Sequence, residues 1–274
     1  MTIAAALAQG AKLLEDASIS APRLTAEVLL AHAIGCERIW LFAHSDEELR
    51  EAWWIHYGRY LHERLQGKPT QQITGRQEFY GREFRVTPDV LIPRPETEHV
   101  VETALERAAG RVVDIGTGSG AIAVTVALET SARVVATEIS AAALRVARQN
   151  GLRLQSCVEW VQCDLGSALA SDAFDLVLSN PPYVPLSDKA QIQREVRDFE
   201  PDVALYGGED GYEIYRRLIP DAARLLRPNG WLIMEIGYAT GETVRTMLRD
   251  WRDVEIRTDL AGLPRVVLAR SPGA

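Results

Sequence analysis

Cysteine and positive charge are both scarce in this chain, and each shortage excludes something. Only three cysteines, Cys36, Cys157 and Cys163, stand among 274 residues, and they make neither a CxxC pair nor an even set. That argues against a disulfide scaffold and a thiolate zinc centre, and for reduced thiols in a cytoplasmic setting. The five histidines, His32, His44, His56, His62 and His99, bring no metal-ligand partners with them, so no metal is expected. Lys and Arg number 30 against 38 Asp and Glu, a net charge of −8. Such a chain makes a poor general binder of duplex DNA or RNA, because phosphate contacts need clustered cations. Stable nucleic-acid binding is therefore not expected, whereas a basic protein partner would be attracted. No apolar run approaches the roughly 20 residues of a membrane span. The opening MTIAAALAQGAKLLED lacks a basic leader segment. A soluble, cytoplasmic protein with no membrane partner is the expectation.

What is present is ordinary globular matter, 47% hydrophobic and 25% charged, enough for a small and a large domain. Residues 1–74 read as a helical domain, 75–98 as a hairpin linker with the segment after it, and 99–274 as an α/β domain. In the first, Ile3, Leu7, Ala11 and Leu14 share a helical face. Pro22 suits the first turn of a second helix with Ser20 as its cap, followed at helical spacing by Leu24, Val28 and Ala31. Ser45-Asp46-Glu47-Glu48 matches a capping box and predicts a long helix ending at Gly67, with Trp53, Trp54 and Tyr57 as bundle core and surface. Such a bundle on an α/β enzyme reads as a platform for substrate or partner, or as plain support. Residues 77–87 alternate about Gly81 and predict a β-hairpin. Ser271-Pro272-Gly273-Ala274 reads as a loose tail.

From residue 99 onward, strands alternate with helices. Strands are expected at 111–115, 133–138, 157–163, 174–179, 230–236, 253–258 and 264–270. Continuous apolar strands separated by helices indicate a mostly parallel, Rossmann-like sheet buried on both faces. Ligands bind such sheets beyond the carboxyl ends of the strands, where strand order reverses.

The first of these strands runs into Asp114-Ile115-Gly116-Thr117-Gly118-Ser119-Gly120-Ala121. Glycines there permit a tight turn and close approach of backbone to a ligand, before a helix whose free N–H groups favour a negative group. The spacing fits both the dinucleotide pattern GxGxxG/A and the D-x-G-x-G-x-G loop of S-adenosylmethionine (SAM) enzymes. Glu138, ending the second strand, is placed to accept from ribose hydroxyls in either. Asp164 and Leu165, after the third, suit an adenine amino group and ring face, with helix capping by Asp164 as the alternative.

The fourth strand ends in Ser179-Asn180-Pro181-Pro182-Tyr183. This tetrapeptide, Asn-Pro-Pro-Tyr, resembles that of SAM-dependent methyltransferases acting on a planar nitrogen, and nicotinamide dehydrogenases do not carry it. An amide or aniline-like nitrogen is a poor nucleophile because its lone pair is delocalised. The Asn180 side-chain oxygen and the Pro181 carbonyl can accept from its two N–H groups and hold the lone pair towards a methyl donor. The prolines fix the backbone, and Tyr183 offers a flat face to a planar group. Orientation and electrostatics then carry the catalysis. By itself this loop leaves adenine or cytosine in nucleic acid and glutamine in protein both open.

Flanking motifs separate them. Gln72-Ile73-Thr74-Gly75, Glu78-Phe79-Tyr80-Gly81, Leu91-Ile92-Pro93-Arg94-Pro95-Glu96-Thr97-Glu98, Glu200-Pro201, Gly207-Gly208 and Asp259-Leu260-Ala261-Gly262 accompany the glycine loop and NPPY. Over nearly its full length the chain resembles the HemK/PrmC family of peptide chain release factor N5-glutamine methyltransferases, class I SAM enzymes. The resemblance implies methyl transfer from SAM, with S-adenosyl-L-homocysteine as product, to the glutamine of the Gly-Gly-Gln motif of release factors. It implies that the helical domain helps bind the release factor. It also assigns Gly116, Thr117, Gly118, Ser119, Gly120, Glu138, Asp164, Leu165 and Asn180 to SAM, and Asn180, Pro181, Pro182 and Tyr183 to the glutamine amide. Glu138 stands where the family usually has Asp, and Leu165-Gly166 where it often has an aromatic pair. Arg94 either shapes the substrate mouth or pairs with a carboxylate. Glu195 and Glu200 read as solvated helix charges, with closure over the substrate as the alternative, and a monomer is expected.

Overall fold

The N-terminal periodicity resolves into five helices in the computed structural model, which describes residues 1–272. They are α1 (Ile3–Asp16), α2 (Pro22–Ile34), α3 (Arg38–Ala43), α4 (Glu51–Leu65) and α5 (Thr70–Thr74). In α1, Ile3, Leu7 and Leu14 are buried as their spacing demands, and the Thr2 hydroxyl caps the helix by accepting from the Ala5 N–H.

Two helix starts differ from expectation. Ser20 does not cap α2, because Ala21 enters the helix in the left-handed region at φ 47° and no side chain caps it. The buried face is turned accordingly: Ala26, Leu29 and Leu30 are inside and Leu24 is exposed. Nor does Ser45–Glu48 open a helix. Its carbonyls are taken by α1, whose Ile3 and Ala4 N–H groups donate to Glu47 and Ser45 at 2.9 and 2.8 Å. Those are among the N–H groups a helix start leaves without an internal partner, and α4 begins only at Glu51.

Tyr57 of α4 is fully buried beside α1, where a Cβ on Gly10 would lie 1.9 Å from its hydroxyl. The compact unit formed by Met1–Arg76 also includes Gln193–Phe199, far away in sequence. That stretch carries the short helix Arg194–Phe199. The buried Arg64 donates to Glu195 at 2.5 Å, and the Gln72 amide donates to the Phe199 carbonyl at 2.7 Å.

The second unit is Gln77–Ile192 with Glu200–Ala274. Strands β1 (Arg76–Phe79) and β2 (Arg82–Arg85) form the expected hairpin. Its two loop residues, Tyr80 and Gly81, both take positive φ, 52° and 71°, as a type I′ connection requires. Phe79 and Phe84 meet edge to face across it and pack under α6 (Glu98–Leu105) and α7 (Ala121–Glu129).

The main sheet contains β3 (Arg111–Ile115), β4 (Arg133–Glu138), β5 (Val158–Gln162), β6 (Phe174–Ser179), β7 (Leu226–Glu235), β8 (Arg252–Thr258) and β9 (Pro264–Arg270). Their order is β5-β4-β3-β6-β7-β9-β8, with only β9 antiparallel to its neighbours. The seven-stranded, mostly parallel sheet is thus as the sequence predicts. β5 is shorter than expected, and β7 starts earlier, at Leu226. Helices α6, α7 and α8 (Ala141–Arg153), and on the other face α11 (Glu213–Leu225) and α12 (Gly241–Met247), cover it with two buried apolar clusters. The remaining helices are α9, the Arg194–Phe199 element above, and α10 (Asp202–Leu205). Strand order reverses between β3 and β6, which places the ligand-binding crevice at their carboxyl ends.

Ser271 is not part of a loose tail. It is buried, its N–H donates to Gly230 at 2.8 Å, and its carbonyl accepts from Arg252. Gly273 and Ala274 lie outside the described residues. No helix among the described residues is long and apolar enough to cross a membrane.

Candidate active site

The glycine loop leaves β3 and enters α7 through three positive-φ glycines, Gly116, Gly118 and Gly120. Two of them serve different ends. A Cβ on Gly118 would meet nothing within 4 Å, so its face opens onto the crevice. A Cβ on Gly120 would press on Ala147 and Trp160 at 3.2–3.3 Å, so this glycine lets α7 pack against α8 and β5. The turn is held from below. Gly116 and Thr117 N–H groups donate to the Thr137 carbonyl, and the Thr117 hydroxyl donates to the buried Asp114 carboxylate at 2.5 Å. Burial pushes the Asp114 pKa up to about 7.

Glu138 ends β4 as expected, and it is buried. Its two oxygens accept from the Gly118 N–H at 2.9 Å and the Ser140 N–H at 3.0 Å. Glu138 thereby ties the glycine loop to the start of α8, and each carboxylate oxygen keeps a further lone pair. Asp164 follows β5 with no helix to cap; the chain turns instead through Leu165 at φ 49°. Its Oδ2 accepts from Arg217 of α11 at 2.5 Å, a partner 53 residues away that no local pattern marks.

One crevice brings together Gly116, Thr117, Gly118, Ser119, Glu138, Asp164, Leu165, Asn180, Pro181 and Pro182, joined by Asp89, Val90, Pro93 and Thr97. Gly120, Tyr183 and Arg94 stand behind or beside that lining rather than in it. Tyr183 is anchored at both ends: its hydroxyl donates to Glu235 at 3.2 Å, and its ring lies 3.1 Å from where a Cβ on Gly237 would be. The backbone of the loop is clamped by a later segment. Val184 exchanges hydrogen bonds with Leu205 and Gly207, and a Cβ on Gly207 would sit 2.6 Å from the Pro182 carbonyl.

Arg94 pairs with Glu200, whose other oxygen accepts from the Ile92 N–H at 3.0 Å. Glu200 is buried, so the reading of it as a solvated helix charge is wrong: it fastens the segment that holds Arg94. Glu195 is likewise held, by Arg64.

The residue that sequence reasoning missed is Glu235. It is fully buried at the end of β7, accepts from the Thr97 hydroxyl at 2.6 Å and from Tyr183, and burial raises its pKa to about 7. Burial and the neighbouring Glu235 carboxylate also push the Tyr183 phenol up. A signal did exist: an acid interrupting the apolar run Leu232-Ile233-Met234-Glu235-Ile236 of a central strand must have partners inside.

A glycine loop, a strand-end carboxylate and an Asn-Pro-Pro-Tyr loop around the switch point of a seven-stranded sheet define a methyltransferase. The comparisons agree. A family described as the PrmC N-terminal domain matches residues 5–75, and one described as the methyltransferase small domain matches residues 95–197. The fold is shared with a methyltransferase from Pyrococcus furiosus, at TM-score 0.54 and 22% identity over 72% of this chain and 91% of that one. It is also shared with the N-terminal domain of human METTL16 in complex with SAH, at TM-score 0.50 and 22% identity over 70% and 76%. A release factor glutamine methyltransferase of Koribacter versatilis is 45% identical over 99% of both chains. One of Nitratidesulfovibrio vulgaris is 41% identical over 98% of this chain and 95% of its own. The chain belongs to the release factor glutamine methyltransferase family.

Proposed function

We propose that this protein transfers the methyl group of SAM to the side-chain amide nitrogen of a release-factor glutamine, the one in the Gly-Gly-Gln motif. The observation that carries the reading is the orientation of Asn180. Its amide nitrogen donates to Thr97 at 3.0 Å, so its oxygen is the end left to accept from a substrate in the crevice.

The residues fit SAM. The open face of Gly118 admits a close-lying ligand, and Glu138 beside it retains lone pairs for a ribose diol. Gly116, Thr117, Ser119, Asp164 and Leu165 complete that wall of the crevice, while Gly120 supports the loop from the packed side. Bound SAM supplies an electrophilic methyl group and leaves as S-adenosyl-L-homocysteine.

The rest of the work falls to this chain. Asn180 Oδ1 and the Pro181 carbonyl accept from the two N–H groups of the glutamine amide, which aims the nitrogen lone pair. Tyr183, pinned by Glu235 and Gly237, supports the plane of the NPPY turn, with Pro182 beside it. The methylated nitrogen is acidic and releases one proton to solvent, so no strong base need precede attack. Arg94, held by Glu200, shapes the substrate side. The N-terminal unit serves as the recognition platform for the release factor, and the protein acts in the cytoplasm as a monomer.

A nucleic-acid base is the weaker reading, since the chain carries a net charge of −8 and phosphate contacts need clustered cations. The test is incubation with methyl-labelled SAM and, separately, a release factor, the same factor with its Gly-Gly-Gln glutamine replaced, and DNA. Label is expected in the first alone. Label in DNA, or label that survives the replacement, overturns the proposal.

A further inference from the structure

Three hydrogen bonds among four side chains link the strand end of β7 to the NPPY loop. The Thr97 hydroxyl donates to Glu235 Oε2 at 2.6 Å, and the Asn180 amide nitrogen donates to the oxygen of that same hydroxyl at 3.0 Å. Glu235 Oε1 accepts from the Tyr183 hydroxyl at 3.2 Å. Thr97 and Glu235 are both buried, at 4% and 3% exposure, so water does not compete for these bonds.

A threonine hydroxyl has one proton. Once the ionised Glu235 carboxylate accepts that proton in a hydrogen bond, the Thr97 oxygen has only lone pairs to offer Asn180. An asparagine amide has a donating end and an accepting end of nearly the same size. A neighbour able only to accept therefore selects the NH2 end and turns the oxygen the other way. Among the described residues nothing donates to Asn180 Oδ1, and Asn180 lines the crevice.

We infer that Thr97 and Glu235 are positioning residues for methyl transfer: the Glu235 carboxylate commits the Thr97 proton, and Thr97 thereby fixes the Asn180 amide with its oxygen towards the substrate nitrogen. The inference rests on the proposed acceptor role of Asn180. It also gives the threonine of the Ile-Pro-Arg-Pro-Glu-Thr segment a task at the NPPY loop, which the sequence alone does not connect. An amide in place of Glu235 breaks the logic. Its NH2 end can donate to Thr97, releasing the hydroxyl proton towards Asn180 and selecting the opposite flip.

The experiment compares Thr97→Val, Thr97→Ser, Glu235→Gln and Asn180→Ala with wild type. It measures kcat and KM for the release factor at about pH 8.5, where Glu235 is ionised, SAM affinity by calorimetry, and Tm. Thr97→Val keeps the shape and removes the hydroxyl, and is expected to lower kcat roughly tenfold to a hundredfold, the worth of one committed hydrogen bond in the transition state. SAM affinity should stay within about threefold, well under the 1.4 kcal/mol that a factor of ten represents. Thr97→Ser should restore most of the lost kcat, and Glu235→Gln should fall with Thr97→Val.

Three results overturn the inference: Thr97→Val with wild-type kcat, Thr97→Ser no better than Thr97→Val, or a Thr97→Val loss matched by loss of SAM affinity and Tm. If Asn180→Ala itself keeps wild-type turnover, the acceptor reading has failed. If Asn180→Ala loses turnover and Thr97→Val does not, only the positioning inference has failed.

Discussion

Arg94 donates to Glu200 across 106 residues of sequence, and the same carboxylate holds the Ile92 N–H. One buried acid thus fastens both sides of Pro93, which lines the crevice. Removing the acid leaves a guanidinium and a buried N–H short of a partner; removing the arginine leaves a buried charge. Glu200→Ala and Arg94→Ala should each destabilise the protein by about 2–4 kcal/mol, with a coupling between them of about 1–3 kcal/mol in a double-mutant cycle. Urea unfolding of the four proteins checks this. Additive losses would mean that the pair does not hold the segment.

Gly10 and Tyr57 make a second prediction, about the helical unit. Gly10→Ala ought to gain about 1 kcal/mol of helix propensity, yet its Cβ would overlap the Tyr57 hydroxyl at 1.9 Å. The substitution should destabilise by about 1–3 kcal/mol on balance. The Tyr57 hydroxyl is buried without a hydrogen-bond partner, so Tyr57→Phe should be neutral or stabilising and should relieve part of the Gly10→Ala loss. Thermal unfolding of the two single variants and the double variant reads both effects.

The sheet was legible because its central strands carry apolar runs: Phe174–Ser179 and Pro264–Arg270 lie where the pattern puts them. The glycine loop and NPPY were legible because their residue types are costly anywhere else. Helix starts were less so. Ser45–Glu48 has the letters of a capping box, but its carbonyls serve α1, a tertiary use that no local rule can see. Glu195 and Glu200 look alike in sequence, one turn of chain apart. What separates them is burial and partner: Glu195 meets the buried Arg64, whereas Glu200 is itself buried and meets the half-exposed Arg94. The Thr97–Glu235 bond joins residues 138 positions apart and left only the oddity of an acid inside an apolar strand.

Gly118 and Gly120 should respond oppositely to alanine. Both glycines take positive φ, so alanine strains either backbone by about 1–2 kcal/mol. Beyond that shared cost a side chain at Gly118 enters open crevice, so Gly118→Ala should mainly weaken SAM binding, roughly tenfold, about 1.4 kcal/mol. At Gly120 the methyl meets Ala147 and Trp160 at 3.2–3.3 Å. Gly120→Ala should cost about 1–3 kcal/mol of stability. Calorimetric SAM titration and Tm separate the two; equal effects on both quantities would remove the distinction between a ligand face and a packing face.

The last prediction concerns the pH dependence that Glu235 imposes on stability. Burial raises its pKa in the folded protein to about 7 from the ordinary glutamate value of 4.5. The groups facing it are the Thr97 and Tyr183 hydroxyls, which hold the charged form, Arg265, which favours it, and Glu96, which opposes it. Between those two pH values the folded protein binds more protons at this site than the unfolded chain, so the site's contribution to stability falls as pH rises. It is fully present below about pH 4.5 and lost by about pH 7, for a total on the order of 3 kcal/mol. Asp114, also raised to about 7, titrates in wild type and variant alike and cancels in their difference. Glu235→Gln carries no charge at any pH. Its Tm relative to wild type should therefore climb steadily from pH 4.5 to 7 and level off above. A difference that stays flat across that range would show that Glu235 keeps an ordinary carboxylate pKa inside the fold.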